Sequence, residues 1–276
     1  MSETGHLDSR DGLRLFFRLH RPESPQAAIV LVHGFNDHSG RYLHVLEALN
    51  QAGFAVLAFD CRGHGQSAGK RFHIDRFSDY VDDTERLLEL ARARMPGIPL
   101  FLMGHSQGGL IALTYALERS DTIDGLVVTA PACGLAMEVP AWMEGMAHLL
   151  GNALPALSIP SGLDPSHLTR DTSVVQAYID DPLTGPSARA RWYVEFRHAQ
   201  ARLSKEAYKV TTPLFALQGT SDMVTSPTAS EQVFGGIGSA DKTWKAYEGY
   251  YHAILNEPER DEILDEIVQW LRAHTG

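Results

Sequence analysis

A serine flanked by glycines stands where an apolar run gives way to a helical pattern. Residues 101–113 read FLMGHSQGGLIAL, so Gly104 and Gly108 each lie two positions from Ser106. A tight turn from strand to helix needs glycine at those positions, because a Cβ atom there would clash with neighbouring backbone. Such a turn presents the serine hydroxyl at a helix N-terminus, where the backbone N–H of Gln107 can donate to a developing oxyanion. The segment therefore predicts a nucleophilic serine.

Elsewhere, short apolar runs alternate with longer segments of helical period, which is typical of an α/β sheet with mostly parallel strands. Strands are predicted at 27–33, 54–60, 99–104, 125–130, 213–219 and 243–247. The run 13–20 alternates less cleanly and is predicted to be the edge strand at the start of the sheet. Helices are predicted at 41–52, 77–94, 107–120, 226–236 and 257–274.

A helical cap is predicted for residues 131–209, where the alternation stops and no strand-like run is found. The core is then formed by residues 1–130 and 210–276. One cap segment, PAWMEGMAHLLGNAL, carries an apolar face at helical spacing. That face either lines a pocket for an acyl chain or packs the cap onto the core, since both use the same pattern. Its candidate residues are Trp142, Met143, Met146 and Leu150.

A serine nucleophile needs a base that takes its proton and an acid that orients the base. In a sheet of this kind the two are expected after later strands, in the order acid and then histidine. His252 follows the strand predicted at 243–247 and is the expected base, and Asp222 follows the strand at 213–219 and is the expected acid. Asp241 and Glu248 are weaker candidates for the acid. Asp222 has a second interpretation as the cap of the next helix.

The segment LVHGFNDHSGRY, which follows the first central strand, is predicted to supply a second oxyanion donor. His33 and Gly34 end the strand, so the backbone N–H of Phe35 is the expected donor. His33 and His38 are expected to pack this loop. No carboxylate or third histidine stands at ligand spacing, so neither a metal nor another cofactor is expected.

Charge and hydropathy narrow the class of partner. A net charge of −10 over 276 residues argues against nucleic acid and against electrostatic docking on anionic lipid. The polar N-terminal segment has no signal-peptide core, and no stretch has the apolar length of a membrane span. We therefore expect a cytoplasmic protein, monomeric by default. Cys61 and Cys133 show no metal or redox spacing and are expected to be free thiols.

Taken together, these segments resemble those of the monoacylglycerol lipase and lysophospholipase-like α/β-hydrolases, a group that overlaps the S33 serine aminopeptidase-type hydrolases. The resemblance spans nearly the whole chain, and the combination of segments is more specific than any one of them. The matching segments are HGFNDHSGRY (33–42), FDCRGHGQSAG (59–69), GHSQGG (104–109), LTRDTSVVQAYIDDPL (168–183), GTSDMVTSP (219–227) and YHAILNE (251–257).

The resemblance implies an α/β-hydrolase fold and a serine ester hydrolase that cleaves monoacylglycerols of medium or long chain through an acyl-enzyme. It assigns the nucleophile, acid and base to Ser106, Asp222 and His252, and the backbone oxyanion donors to Phe35 and Gln107. The alternatives are a lysophospholipase or short-chain carboxylesterase, then an aminopeptidase, and last a non-catalytic binding protein of the same fold. The partner of the protein would be a small lipid ester as substrate, and the cap would contact a membrane or micelle transiently.

The resemblance also implies residues that bind substrate. Asp37 and Arg41 occupy the places of a polar pair that helps hold the glycerol end in animal relatives, and a plain loop ion pair is the alternative. Tyr178 lies in the cap segment that resembles the family and is a further candidate, beside the four residues of the apolar face. The chain departs from the family at Phe35, where a small residue is common, and at Gln107, where methionine is common. Phe35 is expected to reshape the acyl entrance, and Gln107 to bring an amide near the site.

Overall fold

The chain is built on one large sheet and eight α-helices in the computed structural model, which describes residues 2–137 and 139–275. The strands are β1 (Ser2–Asp8), β2 (Arg14–His20), β3 (Ala28–Val32), β4 (Ala55–Phe59), β5 (Leu100–His105), β6 (Gly125–Thr129), β7 (Ser158–Pro160), β8 (Ser187–Arg189), β9 (Leu214–Gly219) and β10 (Lys242–Tyr247). The helices are α1 (Leu43–Gln51), α2 (Ser78–Arg94), α3 (Gln107–Arg119), α4 (Ala141–Ala153), α5 (Thr172–Ile179), α6 (Ala190–Glu206), α7 (Pro227–Gly236) and α8 (Arg260–Ala273).

The large sheet has the strand order β1-β2-β4-β3-β5-β6-β9-β10, and it is parallel from β4 to β10. Its central strands are continuous apolar runs because helices cover both faces. Along β3, Val30 and Val32 face one apolar cluster with α2 and α3, whereas Ile29 and Leu31 face another with α1 and α8. The predicted α/β architecture is confirmed, and it brings the carboxyl ends of β3, β5, β9 and β10 to one edge.

The prediction that residues 13–20 form the edge strand is wrong. β1 lies outside β2 and pairs with it antiparallel, from Ser2 opposite His20 to Asp8 opposite Arg14. Side chains of β1 are alternately exposed and half-buried, so this strand has no apolar run by which the sequence could mark it. Its hairpin depends on Gly12, which adopts a φ of 80°.

Residues between β6 and β9 hold α4, α5 and α6, as predicted for a helical segment, but the expectation that this segment holds no strand is wrong. β7 and β8 pair antiparallel there, and three-residue strands that read SIP and SAR carry too little apolar pattern to be recognised. Helix α6 is bonded to the core, because Glu195 accepts the backbone N–H of Phe77 at 3.1 Å. Gln200 Nε2 also donates to the carbonyl of Ala132, just after β6, at 2.8 Å. Helix α6 is therefore attached to the segment before α2 and to the segment after β6.

Helix α4 packs on α6 through the face that carries Glu144 and Gly151, and not through its apolar face. Glu144 pairs with Arg197, and a Cβ at Gly151 would lie 2.6 Å from Val194. The opposite face of α4 is open to solvent, with exposed fractions of 70% for Trp142 and 48% for Met146. Within residues 2–137 and 139–275, no helix combines the length and apolar character needed to cross a membrane.

Candidate active site

Ser106 occupies a strained turn between β5 and α3. Its φ is 54° and its ψ is −118°, a conformation that residues with a Cβ rarely adopt. The flanking glycines are required by close backbone contacts: a Cβ at Gly104 would lie 2.2 Å from the Gly108 carbonyl oxygen. A Cβ at Gly108 would lie 2.1 Å from the Val32 carbonyl oxygen. The turn thus has the geometry that the sequence predicts.

The hydroxyl of Ser106, the imidazole of His252 and the carboxylate of Asp222 lie in one chain of hydrogen bonds. His252 Nε2 is 2.9 Å from Ser106 Oγ, and His252 Nδ1 is 2.8 Å from Asp222 Oδ2. All three side chains are buried. Asp222 follows β9 and His252 follows β10, so parallel strands bring both to the sheet edge where Ser106 turns.

Asp222 is held as a carboxylate by several donors. Oδ1 accepts the backbone N–H groups of Val224 and Thr225, and Oδ2 accepts the Thr225 hydroxyl at 2.6 Å and the Gln218 amide at 2.9 Å. Burial alone would raise the pKa of Asp222, but His252 and these hydrogen bonds lower it to about 2. Asp222 therefore stays ionised beside His252.

The other interpretations of the acid do not fit the geometry. Helix α7 is capped by Ser226, whose hydroxyl accepts the Ala229 N–H at 3.2 Å, so Asp222 does not cap it. Asp241 lies 3.1 Å from His274 at the far end of β10, and Glu248 is exposed. Asp222 is the carboxylate that the structure brings to His252.

Sequence reasoning missed several residues that support this chain. Thr225 and Gln218 bind the Asp222 carboxylate, although Thr225 stood in a segment already singled out. His105, next to the serine, packs its ring 4.9 Å from that of His252 and lies 3.0 Å from Thr129 Oγ1. Burial and the neighbouring His252 lower the pKa of His105 to about 3, so it is a neutral packing partner.

The two expected oxyanion donors lie beside Ser106. A Cβ at Gly34 would lie 3.3 Å from the Ser106 Cβ, so the loop that carries Phe35 runs against the serine. Gln107 is the first residue of α3, where backbone N–H groups have no partner within the helix. Its side chain is fully buried and accepts a 2.7 Å hydrogen bond from the Trp192 indole, so the amide does not enter a substrate cleft.

Asp37, Arg41 and Tyr178 come together on the side of the site near His252. Arg41 Nε lies 3.0 Å from Asp37 Oδ1, and its guanidinium lies 4.9 Å from the centre of the Tyr178 ring. Tyr178 packs with Ala253, next to His252, and its buried hydroxyl has no hydrogen-bond partner among the described residues. The loop ion pair and the predicted substrate cluster are therefore the same group of side chains.

Histidines of the first loop have structural partners, as expected. His33 Nε2 accepts the backbone N–H of Cys61 at 2.9 Å, and His38 pairs with Asp181 at 2.8 Å. Within the described part of the chain, no group of three or more potential metal ligands is assembled. Cys61 and Cys133 are buried free thiols.

Two of the candidate acyl-pocket residues on α4, Trp142 and Met146, are exposed rather than enclosed in a pocket. Trp142 and Met146 project into solvent, and so does Leu149 with 63% exposure. Leu150 is half-buried, and the side chain of Met143 lies outside the described residues. The interpretation that this face packs the cap onto the core is not supported at Trp142 or Met146.

The chain is similar to several known proteins over most of its length. The model of a family described as "Serine aminopeptidase, S33" matches residues 23–259. A monoacylglycerol lipase from Mycolicibacterium smegmatis is 32% identical over 268 residues, which cover 95% of this chain and 94% of the relative. A phospholipase from Bacillus subtilis, YtpA, is 32% identical over 247 residues, or 88% of this chain and 94% of the relative. The crystal structure of a monoacylglycerol lipase from Paleococcus ferrophilus matches with a TM-score of 0.87 at 37% identity, over 94% of this chain and 99% of that one.

Proposed function

This chain belongs to the S33 family of serine α/β-hydrolases, and from that membership we propose that it is an ester hydrolase that cleaves monoacylglycerols. The observation that carries the proposal is the continuous hydrogen-bonded chain from Ser106 through His252 to Asp222. Relatives named monoacylglycerol lipase over most of both chains support the substrate class.

In the proposed reaction, Ser106 Oγ attacks the ester carbonyl while His252 Nε2 takes its proton. The negative charge on the carbonyl oxygen is stabilised by the backbone N–H groups of Phe35 and Gln107. His252 then gives its proton to the departing glycerol oxygen, which leaves the acyl group on Ser106. In the second half, His252 takes a proton from water as the water oxygen attacks the acyl carbonyl. The bond between Ser106 Oγ and the acyl carbon then breaks, His252 returns the proton to Ser106 Oγ, and the fatty acid is released.

We propose that Asp37, Arg41 and Tyr178 bind the glycerol end of the substrate. An unpartnered Tyr178 hydroxyl beside an ion pair offers both donors and acceptors to a diol. Arg41 is already paired with Asp37, and Arg170, nearby in the cap, is paired with Glu257. Because these cations are already neutralised, the site suits an uncharged headgroup better than an anionic one.

A phospholipase activity is the second candidate, because the YtpA relative is named a phospholipase. An aminopeptidase is disfavoured because it needs a free carboxylate for the substrate ammonium, whereas Glu144 is paired with Arg197. Glu138, a second acid in this part of the chain, lies outside the described residues.

We further propose that residues 131–209 act as a cap through which a monomeric, cytoplasmic enzyme meets lipid aggregates. The support is the solvent-exposed apolar face of α4, with Trp142, Met146 and Leu149. If this is right, Trp142→Ser slows turnover of micellar substrate and leaves turnover of a soluble short-chain ester unchanged. Equal slowing of both substrates would overturn this part of the proposal.

The proposed function is tested by hydrolysis of a monoacylglycerol chain-length series. Matched lysophosphatidylcholines and an aminoacyl-amide are compared under the same conditions, with Ser106→Ala as control. We expect the monoacylglycerols to be the best substrates and Ser106→Ala to be inactive and unlabelled by a fluorophosphonate probe. Faster turnover of lysophosphatidylcholines would favour the second candidate, and activity that persists in Ser106→Ala would exclude the serine mechanism.

A further inference from the structure

One residue of the cap, Trp192, contacts the side chains of both proposed oxyanion donors. Its indole Nε1–H donates to Gln107 Oε1 at 2.7 Å. Its ring stacks on the Phe35 ring, with centroids 3.9 Å apart and planes at 28°. Phe35 and Gln107 come from separate segments, the loop after β3 and the start of α3, whereas Trp192 comes from α6. The structure therefore links two loops of the core through one side chain of the cap.

The link is buried and firmly supported. Gln107 is fully buried and Trp192 nearly so, which makes their hydrogen bond costly to break because a desolvated carboxamide oxygen would be left unpaired. Phe196, one turn along α6, stacks on Trp192 with centroids 4.9 Å apart. Helix α6 is itself bonded to the core, because Glu195 accepts the backbone N–H of Phe77 at 3.1 Å. Trp192 is thus a fixed point relative to Ser106.

Position matters more for an oxyanion hole than for most binding groups. The donors must lie about 2.7–3.1 Å from the place that the oxyanion will occupy. Displacement of a reacting group by about 1 Å can cost roughly 100-fold in rate. The N–H of Gln107 belongs to the residue whose carboxamide Trp192 binds, and the N–H of Phe35 belongs to the residue whose ring Trp192 covers. Trp192 therefore contacts the side chains of both residues that carry the proposed donors.

We infer that Trp192 is a positioning residue that holds the backbone N–H groups of Phe35 and Gln107 in register with Ser106. The inference rests on the proposed function and adds to it a role of the cap in stabilising the transition state, beyond enclosing the substrate. It also accounts together for Phe35 and Gln107, the two departures from the family pattern. The Trp192 indole stacks on the aromatic ring of Phe35 and donates a hydrogen bond to the carboxamide of Gln107.

The test uses two substitutions that remove the same hydrogen bond from opposite ends. Trp192→Phe keeps an aromatic ring against Phe35 but has no N–H, and Gln107→Met keeps the backbone donor but has no acceptor. Tyr193→Phe, the next residue of α6, is the matched control, since the Tyr193 hydroxyl has no partner among the described residues. The measurements are kcat and KM on a soluble p-nitrophenyl ester, and the Ki of a trifluoromethyl ketone that forms a tetrahedral adduct with the serine.

We expect Trp192→Phe to lower kcat by about 10-fold, within the loss that misplaced groups cause, and to change KM by less than about 2-fold. The Ki of the ketone should rise in parallel with the fall in kcat/KM, because the adduct places its oxyanion in the same hole. In the Gln107→Met background, Trp192→Phe should lower kcat by no more than about 2-fold, since the bond is already absent. Tyr193→Phe should leave kcat, KM and Ki unchanged.

Unchanged kcat and Ki in both Trp192→Phe and Gln107→Met would overturn the inference. So would a rise in KM with kcat intact, which would make Trp192 a substrate contact. Because Gln107→Met leaves Trp192 in place, it still decides the matter if Trp192→Phe fails to fold. A wild-type enzyme with no esterase activity, or an active Ser106→Ala, would instead overturn the proposed function and the inference with it.

Discussion

Asp222 and His252 are joined through one carboxylate oxygen, while the other oxygen of Asp222 is bonded to the backbone. Oδ2 lies 2.8 Å from His252 Nδ1, and Oδ1 accepts the N–H groups of Val224 and Thr225. The turn after β9 therefore orients the carboxylate before any substrate binds. A carboxylate at Nδ1 holds the proton there, which leaves Nε2 as the acceptor for the serine proton.

Asp222→Asn should preserve the shape of this chain but favour the wrong tautomer of His252. We expect kcat to fall by about 10³–10⁴-fold, with the fold retained. The measurement is steady-state hydrolysis of a soluble ester, and Asp241→Asn is the matched control on the other acid near β10. If Asp241→Asn is the variant that loses activity, the assignment of the acid is wrong.

The pKa of Asp222 predicts how stability changes in acid. Its folded value, about 2, lies below the ordinary 3.8, so its stabilising effect is complete above about pH 4 and is lost as the pH falls through about 2. The shift corresponds to a contribution on the order of 2 kcal/mol. Urea unfolding of wild type and Asp222→Asn from about pH 5 to about pH 2 should show a difference in unfolding free energy that shrinks toward low pH. A difference that stays constant would contradict the depressed pKa.

Gly108→Ala should be much worse than an ordinary glycine substitution in a helix. Its Cβ would lie 2.1 Å from the Val32 carbonyl oxygen, so strand and helix must separate. We expect a loss of at least about 2 kcal/mol in unfolding free energy, together with reduced kcat. Gly145→Ala in α4 is the control, because nothing lies within 4 Å of its Cβ, and it should gain about 0.5–1 kcal/mol. Similar melting temperatures for the two variants would count against the close-contact argument.

Arg62 should prove structural. Its guanidinium bonds Asp83 at 2.6 and 2.7 Å and Asp11 at 2.9 Å. Burial raises the pKa of Asp83 to about 6, so this carboxylate depends on its partner. Arg62→Met should cost about 3–5 kcal/mol in unfolding free energy, and the double variant with Asp83→Leu should recover much of it. Chemical denaturation measures the loss, and a change confined to KM would show instead that Arg62 binds substrate.

Arg41→Met tests the proposed glycerol site. Loss of a charged hydrogen bond to the headgroup should raise KM for a monoacylglycerol by about 10-fold. The ethyl ester of the same fatty acid, which lacks the glycerol hydroxyls, should keep its KM. An equal rise for both esters would mean that the pair with Asp37 only shapes the loop.

Residues with strong local constraints were predictable from the sequence, and those defined by packing were not. Ser106 could be found because its strained turn demands glycine at two fixed positions, and His252 because few histidines follow the later strands. Strand β1 could not be found from the sequence, because an edge strand that is held by backbone pairing has no apolar run. Trp192 could not either, because its partners Phe35 and Gln107 are brought to it by the tertiary fold. Trp142 could be assigned to an apolar helix face from the sequence, but that pattern does not reveal whether the face contacts protein or solvent.

The two long helices between β6 and β9, α4 and α6, have different contacts. We expect α6 to affect the catalytic step and α4 to affect which lipid substrates are used. α6 reaches the oxyanion residues through Trp192, whereas α4 packs on α6 and turns Trp142 and Met146 outward. On the proposals made above, changes on the exposed face of α4 alter turnover of lipid aggregates but not of a soluble ester, whereas changes at Trp192 lower kcat on both. Helix α4 can therefore be varied independently of the catalytic residues. A mutant library confined to its exposed face is the best starting point for evolving new lipid preferences.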